Sequence, residues 1–158
     1  GHLAPHEGGA SIGDVRVRRL ARRLLRLTQP ARHPPRPADG LRVGLSVCYD
    51  LRFGELYRML AADLLLVPSA FTYTTGQAHW EILLRARAIE NQCYLLAVGQ
   101  GGRHESGRMT HGNSMIVDPW GEILDRKMKG PGVVIADLDH ARIAEIRESL
   151  PALAHRKL

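Results

Sequence analysis

Residues 41–60, LRVGLSVCYDLRFGELYRML, join an apolar run, a polar turn and the start of a helical pattern. The apolar run ends at Cys48, and the helical pattern begins at Glu55. This order predicts a strand, a sharp turn and a helix with the cysteine at the corner, a geometry that exposes a nucleophile. A thiol near the N–H groups of a helix N-terminus and an arginine also forms thiolate more readily. The alternative is a buried cysteine that only packs, because cysteine is among the most buried residue types.

The chain after this stretch alternates strand and helix patterns. An amphipathic helix is predicted over residues 77–92, with its apolar stripe at Trp80, Leu83, Leu84, Ala88 and Ile89. Further helices are predicted at 55–62 and 139–150, the last capped by Asp139, and strands at 41–48, 63–67, 94–98, 114–117, 122–125 and 133–138. Loops are predicted at 69–76 and 100–112, and turns at 118–121 and 129–132. Helices that first separate strands and then give way to hairpins indicate an α/β fold with a mixed sheet.

The residues before position 41 have a different character. Residues 1–14 are rich in Gly and His, and residues 28–40 carry four prolines, which predicts a stiff linker and a boundary near residue 40. Between them, residues 15–27, VRVRRLARRLLRL, predict a basic amphipathic helix with Asp14 as a candidate cap. Such a helix can bind nucleic acid or a membrane surface. A solvated helix without a partner is the favoured alternative, because no aromatic residue lies between the arginines to stack on bases.

The charge of the chain is concentrated in the same region. Residues 1–42 hold nine arginines and three acids, whereas residues 43–158 hold thirteen bases and thirteen acids, so the net charge of +6 belongs to the first quarter. The rest of the chain therefore gives no reason to expect a nucleic-acid partner. The hydrophobic fraction of 44% is typical of a globular domain, and no apolar run approaches the roughly 20 residues that span a bilayer.

The two cysteines, Cys48 and Cys93, provide no disulfide framework, which favours a reducing, cytoplasmic setting. The histidines and cysteines do not follow the spacing of a zinc site, and no metal is expected.

Three blocks of the sequence carry a family resemblance. GLSVCYDLRFGELYR (44–58), LLLVPSAFTYTTGQAHWEILLRARAIENQCYLLAVGQGGRH (64–104) and HGNSMIVDPWGEIL (111–124) resemble, in order, the nitrilase superfamily of carbon–nitrogen hydrolases. Within it they resemble the Nit-type amidases, and the Arg-His pair after QGG is closer to the deaminated-glutathione amidase branch than to the ω-amidase branch. The resemblance covers about residues 41–156. It divides the chain into an unmatched segment, 1–40, and the C-terminal part of a hydrolase domain, 41–158.

The resemblance implies part of an αββα sandwich that forms a homodimer, and a Glu–Lys–Cys triad without a cofactor. Cys48 matches the nucleophile, which attacks a small amide, releases ammonia and leaves a thioester that water converts to the acid. The backbone N–H of Tyr49 matches one donor to the oxyanion. Asp50 and Arg52 match supporting positions, and we expect them to form an ion pair that fixes the turn.

The resemblance also implies roles for the residues of one loop and one helix. Phe71, Thr72 and Thr75 match a loop that lines the substrate pocket, although a simple helix start capped by Thr74 or Thr75 explains the same residues. A structural role, joining helix to sheet by buried polar contacts, is implied for Arg85, Arg87, Glu90 and Asn91. For His79 and His111, a hydrogen-bonded structural role is favoured over that of a catalytic base.

Two departures from the family pattern concern the catalytic groups. The family places its catalytic Glu and Lys before the cysteine, but here no lysine precedes Lys127, and the one glutamate before Cys48 is Glu7, in a stretch that matches no family block. A further departure is Gly54, where relatives usually have proline. Losing one oxyanion donor typically lowers the rate by about 10²–10³. The alternatives are therefore an active amidase, a truncated and catalytically impaired partner subunit, and, less favoured, nucleic-acid or membrane binding by residues 15–27.

Overall fold

A computed structural model describes residues 37–38 and 40–157 of the chain. The sequence predictions for Glu7, for the basic segment 15–27 with its Asp14 cap and for nearly all of the linker 28–40 lie outside the described residues.

The described residues form a mixed six-stranded sheet, as the sequence predicts. Its strands are β1 (Pro37–Ala38), β2 (Leu41–Leu45), β3 (Leu64–Ser69), β4 (Tyr94–Gly99), β7 (Ser114–Val117) and β8 (Ile123–Lys127), in the order β1-β2-β3-β4-β7-β8. The central strands β2, β3 and β4 are parallel, and the other strands pair antiparallel with their neighbours. A separate hairpin contains β5 (Gly101–Arg103) and β6 (Met109–His111).

The helices connect the parallel strands and close the fold. They are α1 (Gly54–Leu60), α2 (Tyr73–Thr75), a π-helical turn (Gly76–Trp80), α3 (Glu81–Asn91) and α4 (His140–Ser149). Helical structure therefore starts before the predicted residue 77 and includes a π turn, a feature that is frequent near functional sites. The Asp139 carboxylate accepts a hydrogen bond from the Ala141 N–H at 2.8 Å, which confirms the predicted cap of α4. Among the described residues, none of these helices has both the length and the apolar composition needed to cross a bilayer.

The main core lies between one face of the sheet and the π turn and α3. Its helical side chains, Trp80, Leu84 and Ala88, are fully buried against residues of four strands. The cluster also contains Tyr57 of α1, Leu51 of the turn before α1, and the strand residues Leu65, Val67, Leu95, Ala97, Met115 and Val117. Burial of one large apolar side chain contributes about 1.5–3 kcal/mol, so this layer is the main source of stability.

A second cluster holds α4 on the other face of the sheet. Ile143 of α4 packs with Leu41 and Tyr94, and Leu64 and Leu138 contact the same group. Leu64 and Leu65 are neighbours on β3 and belong to different clusters, as expected when side chains alternate between the faces of a strand. The sheet is thus covered on both faces along part of its length.

Three boundary predictions need correction. The predicted strand 41–48 ends at Leu45, because the chain turns away from the sheet before Cys48. The predicted loop 100–112 contains the hairpin of β5 and β6, whose glycines give no apolar alternation that would reveal a strand. The predicted strand 133–138 has no strand partner among the described residues. Its side chains alternate in exposure as in a strand, but its backbone does not join the sheet.

Candidate functional site

Cys48 lies at the corner where the chain leaves the parallel part of the sheet. The Ser46 N–H still donates to the Leu66 carbonyl at 3.1 Å, and a 3₁₀ helix, Cys48–Arg52, begins two residues later. Cys48 has a φ of 52°, in the left-handed region that costs a non-glycine residue about 1–3 kcal/mol and that is concentrated at functional sites. Its side chain is half-buried and packs against the main core. The predicted strand–turn–helix corner is therefore present, with the thiol at the carboxyl end of a parallel strand, where α/β sheets bind ligands.

The turn that carries Cys48 is closed by Asp50. The Asp50 N–H donates to the Val47 carbonyl at 3.1 Å, and the Val47 N–H donates to the Asp50 carboxylate at 2.9 Å. The expected ion pair between Asp50 and Arg52 is not among the ion pairs of the described residues. Asp50 fixes the turn through the backbone instead, because its carboxylate reaches the N–H of the residue just before the cysteine.

Arg52 connects the turn to two neighbouring elements. Its guanidinium carbon lies 5.5 Å from the ring centroids of both Tyr49 and Phe71. Its Nη atoms lie 3.4 Å from His79 Nδ1, on the π-helical turn. Cation–π contacts of this kind contribute about 0.5–1 kcal/mol each at partly exposed sites. Arg52 thereby brings together Cys48's turn, the predicted substrate loop and one of the two candidate histidines.

The predicted substrate loop is also the start of a helix. Phe71 is buried against Trp80, with ring centroids 4.9 Å apart. Thr72 and Thr75 are joined by a hydrogen bond of 2.6 Å between their hydroxyl oxygens. The N-cap residue is Thr72, so the cap predicted at Thr74 or Thr75 is two or three residues too late. The loop residues thus lie beside the Cys48 turn through Phe71 and begin the helix through Thr72.

A buried arginine supports the Cys48 turn from α3. Arg87 donates from Nε and Nη2 to the Leu51 carbonyl at 3.1 and 2.9 Å, and from Nη1 to Glu90 Oε1 at 2.9 Å. Asn91 Nδ2 donates in turn to the Arg87 carbonyl at 2.8 Å. Arg85, on the same helix, donates to the Gly121 carbonyl at 2.8 Å and so ties α3 to the β7–β8 turn. These contacts agree with the structural role predicted for this helix.

A second buried polar contact, which the sequence did not predict, lies under the corner. The Ser46 and Tyr57 hydroxyls hydrogen-bond at 2.5 Å. Burial raises the pKa of Tyr57 to about 12, although Ser46 and Arg87 both act in the opposite direction. Tyr57 is therefore a neutral phenol at physiological pH. The sequence signal for this pair is weak, because a Ser before the cysteine and a Tyr on α1 are ordinary residues until the fold brings them together.

His111 lies on β6, beside the loop that is predicted to bind substrate. Its backbone N–H donates to the Phe71 carbonyl at 3.0 Å, and its ring packs near Tyr73. Burial lowers the pKa of His111, and its buried Nδ1 has no hydrogen-bond partner among the described residues. A Cβ on Gly76 would lie 2.2 Å from the His111 Cβ, so only glycine allows β6 and the π turn to approach this closely. The His111 Nε2 lies 3.4 Å from Asn113 Nδ2, so this histidine is held by a side-chain hydrogen bond as well as by its backbone and by packing, in agreement with the hydrogen-bonded structural role predicted for it.

The two cysteines differ in their surroundings. Cys93 is fully buried, and burial raises the pKa of its thiol to about 12, whereas Cys48 is half-buried. A thiol with such a pKa is protonated and unreactive near neutral pH. Within the described part of the chain, no group of three or more His, Cys, Asp or Glu side chains is arranged to hold a metal ion.

Comparison with known proteins shows which family the chain resembles. The model of the "Carbon-nitrogen hydrolase" family matches residues 11–148, so the match begins inside the segment 1–40 that the motif blocks leave unmatched. A curated relative from Synechocystis, named deaminated glutathione amidase, is 52% identical over 117 residues, which are 72% of this chain and 43% of the relative.

Solved structures show the same likeness. The C. elegans NitFhit protein is 48% identical with a TM-score of 0.71 over 73% of this chain and 29% of that one. An amidase variant from Nesterenkonia sp. AN1, solved with the acetamide moiety of fluoroacetamide covalently added at its active-site cysteine, is 32% identical with a TM-score of 0.64 over 80% of this chain and 46% of that one. The chain thus spans less than half the length of these three relatives. Because the family model matches most of its residues, the chain belongs to the carbon–nitrogen hydrolase family.

Proposed function

We propose that the chain acts as a Nit-type amidase that hydrolyses a small amide through a thioester on Cys48. The observation that carries the proposal is the half-buried thiol at a left-handed corner, held by Asp50 from within the turn and by Arg87 from α3. The covalent adduct on the active-site cysteine of the Nesterenkonia relative supports the same role for Cys48.

The proposed reaction has two steps. The Cys48 sulfur attacks the amide carbonyl carbon, the carbon–nitrogen bond breaks, and the nitrogen leaves as ammonia with the proton that the thiol gives up. Water then attacks the thioester, which releases the acid and restores the thiol. The Tyr49 N–H is suited to the oxyanion of both steps, since no described residue accepts a hydrogen bond from it.

The substrate, compartment and assembly are also proposals. Deaminated glutathione is the first compound to test, because the Synechocystis relative is named deaminated glutathione amidase. The two cysteines are unpaired, which is consistent with a reducing compartment such as the cytoplasm. A homodimer is proposed on the family resemblance alone.

The alternative function is that of a catalytically impaired partner subunit. It is favoured by one feature of the given sequence: Glu7 is the one glutamate before Cys48, and no lysine precedes Lys127. Members of a catalytic triad act as a unit, so a chain that does not receive the missing groups keeps only background activity. The two candidate functions predict different rates of amide turnover, but both predict that the Cys48 thiol is accessible.

The test combines thiol labelling with ammonia release. We expect iodoacetamide to label the wild-type chain once, Cys48→Ala to lose the label and Cys93→Ala to keep it, because Cys93 is buried. Ammonia release from deaminated glutathione or another small amide that Cys48→Ala abolishes would support the amidase. Labelling of Cys48 without ammonia release would favour the impaired subunit. If Cys48 labels no faster than free cysteine and no ammonia appears, the proposed function is wrong.

A further inference from the structure

A hydrogen bond between two buried hydroxyls joins the two arms of the chain that flank Cys48. Ser46 lies in the arm that leaves the sheet, and Tyr57, on α1, is 11 positions further along the chain. Ser46 is 3% exposed, and Tyr57 is fully buried. Among the described residues, neither hydroxyl has another hydrogen-bond partner, and no other hydrogen bond joins residues 41–47 to α1. The hydroxyl pair therefore links the strand before the corner to the helix after it.

The surroundings of Tyr57 keep its side chain neutral and fixed. Burial is the main cause that raises the pKa of Tyr57 to about 12, and the Asp50 carboxylate acts in the same direction. The phenol keeps its proton near neutral pH, so it remains able to donate to the Ser46 hydroxyl or to accept from it. The Arg87 guanidinium carbon lies 5.5 Å from the centroid of the Tyr57 ring, which restricts the ring from the side of α3. Tyr57 is thus a fixed point to which Ser46 is attached.

The chain is held on both sides of Cys48. Before it, the Ser46 N–H donates to the Leu66 carbonyl of β3 at 3.1 Å, and the Ser46 hydroxyl belongs to the hydroxyl pair. After it, the Leu51 carbonyl accepts two hydrogen bonds from Arg87. A residue with a φ of 52° keeps this conformation only where the surrounding contacts impose it. The hydroxyl pair is one of those contacts.

We propose that Tyr57 is a positioning residue for Cys48, which it holds through Ser46 in the orientation that presents the thiol at the corner. Without the hydroxyl pair, the strand end is free to shift relative to α1. Cys48 then relaxes towards an ordinary backbone conformation, and the thiol withdraws from the corner. This inference rests on the proposed function, because it concerns the same nucleophile.

Removal of one hydroxyl, and then of both, separates positioning from packing. Tyr57→Phe and Ser46→Ala each leave one buried hydroxyl unpaired, so we expect each to raise the equilibrium constant of unfolding in urea about tenfold, which is about 1.4 kcal/mol. The double variant leaves no unpaired hydroxyl, and its constant should return to within about threefold of the wild-type value. If the pair served stability alone, the reactivity of Cys48 would return together with the stability.

Reactivity is measured as the rate at which iodoacetamide alkylates Cys48 at pH 7, with the labelled peptide identified by mass spectrometry. We expect the rate to fall by about fivefold or more in both single variants and in the double variant, because the strain that the pair imposes on Cys48 is released. Unfolding does not explain such a fall, since it exposes the thiol. The matched control is Tyr94→Phe, which removes a buried hydroxyl that accepts from the Asp139 N–H at 3.1 Å, and its rate should stay within about twofold of wild type.

The double variant decides between the two roles. A Cys48 alkylation rate within about twofold of wild type, or above it, would overturn the positioning role of Tyr57, and so would an equal fall in Tyr94→Phe. Alkylation requires no turnover, so a wild-type chain that releases no ammonia would count against the amidase alone. In a chain that releases ammonia, we expect the double variant to lower kcat by a similar factor and to leave KM within about twofold, because both hydroxyls are buried away from the substrate.

Discussion

At the scale of single residues, the backbone of Cys48 is the most informative feature. A φ of 52° suits glycine and strains any residue with a Cβ. We therefore predict that Cys48→Gly is more stable than Cys48→Ala by about 1 kcal/mol, although neither variant carries a thiol. The free energy of urea unfolding measures the difference.

Cys93 supplies the matched control for this prediction. It is not among the described residues with a positive φ, so there the order should reverse, with Cys93→Ala more stable than Cys93→Gly by about 1 kcal/mol. If Cys48→Ala is as stable as Cys48→Gly or more stable, the Cys48 backbone is not strained.

The sequence predicted which residues form the candidate site better than it predicted which groups those residues contact. The apolar run that ends at Cys48 predicted the corner, because the strand pattern and the helix pattern leave room only for a turn. The partner of Asp50 was predicted wrongly as Arg52, since a charge pair is the obvious choice in sequence, whereas the structure uses the Val47 N–H. Contacts across many residues, such as Arg87 to the Leu51 carbonyl, depend on the packing of α3 and have no local signal.

At the scale of elements, α3 holds the turn through Arg87. The Arg87 side chain is 9% exposed, and its guanidinium donates three hydrogen bonds, two of them to the Leu51 carbonyl. Lysine cannot reproduce this fork, so we predict that Arg87→Lys lowers the free energy of unfolding by about 2–3 kcal/mol. Arg85→Lys is the control, because Arg85 is 48% exposed, and it should cost less than about 1 kcal/mol. Urea unfolding measures the loss of stability in both variants. Equal losses for Arg87→Lys and Arg85→Lys would contradict a special role for Arg87.

The elements that the sequence predicted least well are those without a local apolar signal. The long helix was predicted from five apolar residues at helical spacing. Four of them, Trp80, Leu83, Leu84 and Ala88, pack in the main core, whereas Ile89 is 48% exposed, so the predicted apolar stripe is wrong at that position. The β5–β6 hairpin escaped prediction, since its pairing Gly101 with His111 rests on backbone bonds between polar, Gly-rich segments. Segment 133–138 has the opposite problem: its apolar alternation predicts a strand, but a strand also needs a neighbour, which local sequence does not specify.

At the scale of the whole molecule, Asp63 connects elements that are far apart in sequence. Its carboxylate accepts hydrogen bonds from Arg42, at the start of β2, and from Arg147, on α4, at 3.0 and 2.9 Å. Arg147 also donates to the Ala62 and Gln92 carbonyls at 3.2 Å. These two residues lie just before β3 and β4, so Arg147 attaches α4 to the segments that lead into both strands. The apolar cluster around Ile143 gives α4 its place on the sheet, and this polar network sets its orientation.

This network predicts an acid-dependent loss of stability. Burial alone would raise the pKa of Asp63, but hydrogen bonds from Arg42 and Arg147 outweigh it and lower the pKa to about 2. Because the folded-state pKa lies below the ordinary value of 3.8, the ionised carboxylate stabilises the fold above about pH 4, and this stabilisation disappears as the pH falls towards 2. With allowance for solvent screening, the contribution is about 1–2 kcal/mol near pH 7.

Asp63→Asn should therefore lower the free energy of unfolding by about 1–2 kcal/mol near pH 7 and by only a few tenths of a kcal/mol, roughly, near pH 2, since the wild-type carboxyl is then about half protonated in the folded protein and almost fully protonated in the unfolded one. Urea unfolding of both proteins across this pH range measures the convergence. Glu105→Gln is the control, because Glu105 is exposed and forms no ion pair with a described residue, so its effect should stay within about 0.5 kcal/mol at every pH. A difference between wild type and Asp63→Asn that is constant from pH 7 to pH 2 would show that α4 is held by packing and not by the charge of Asp63.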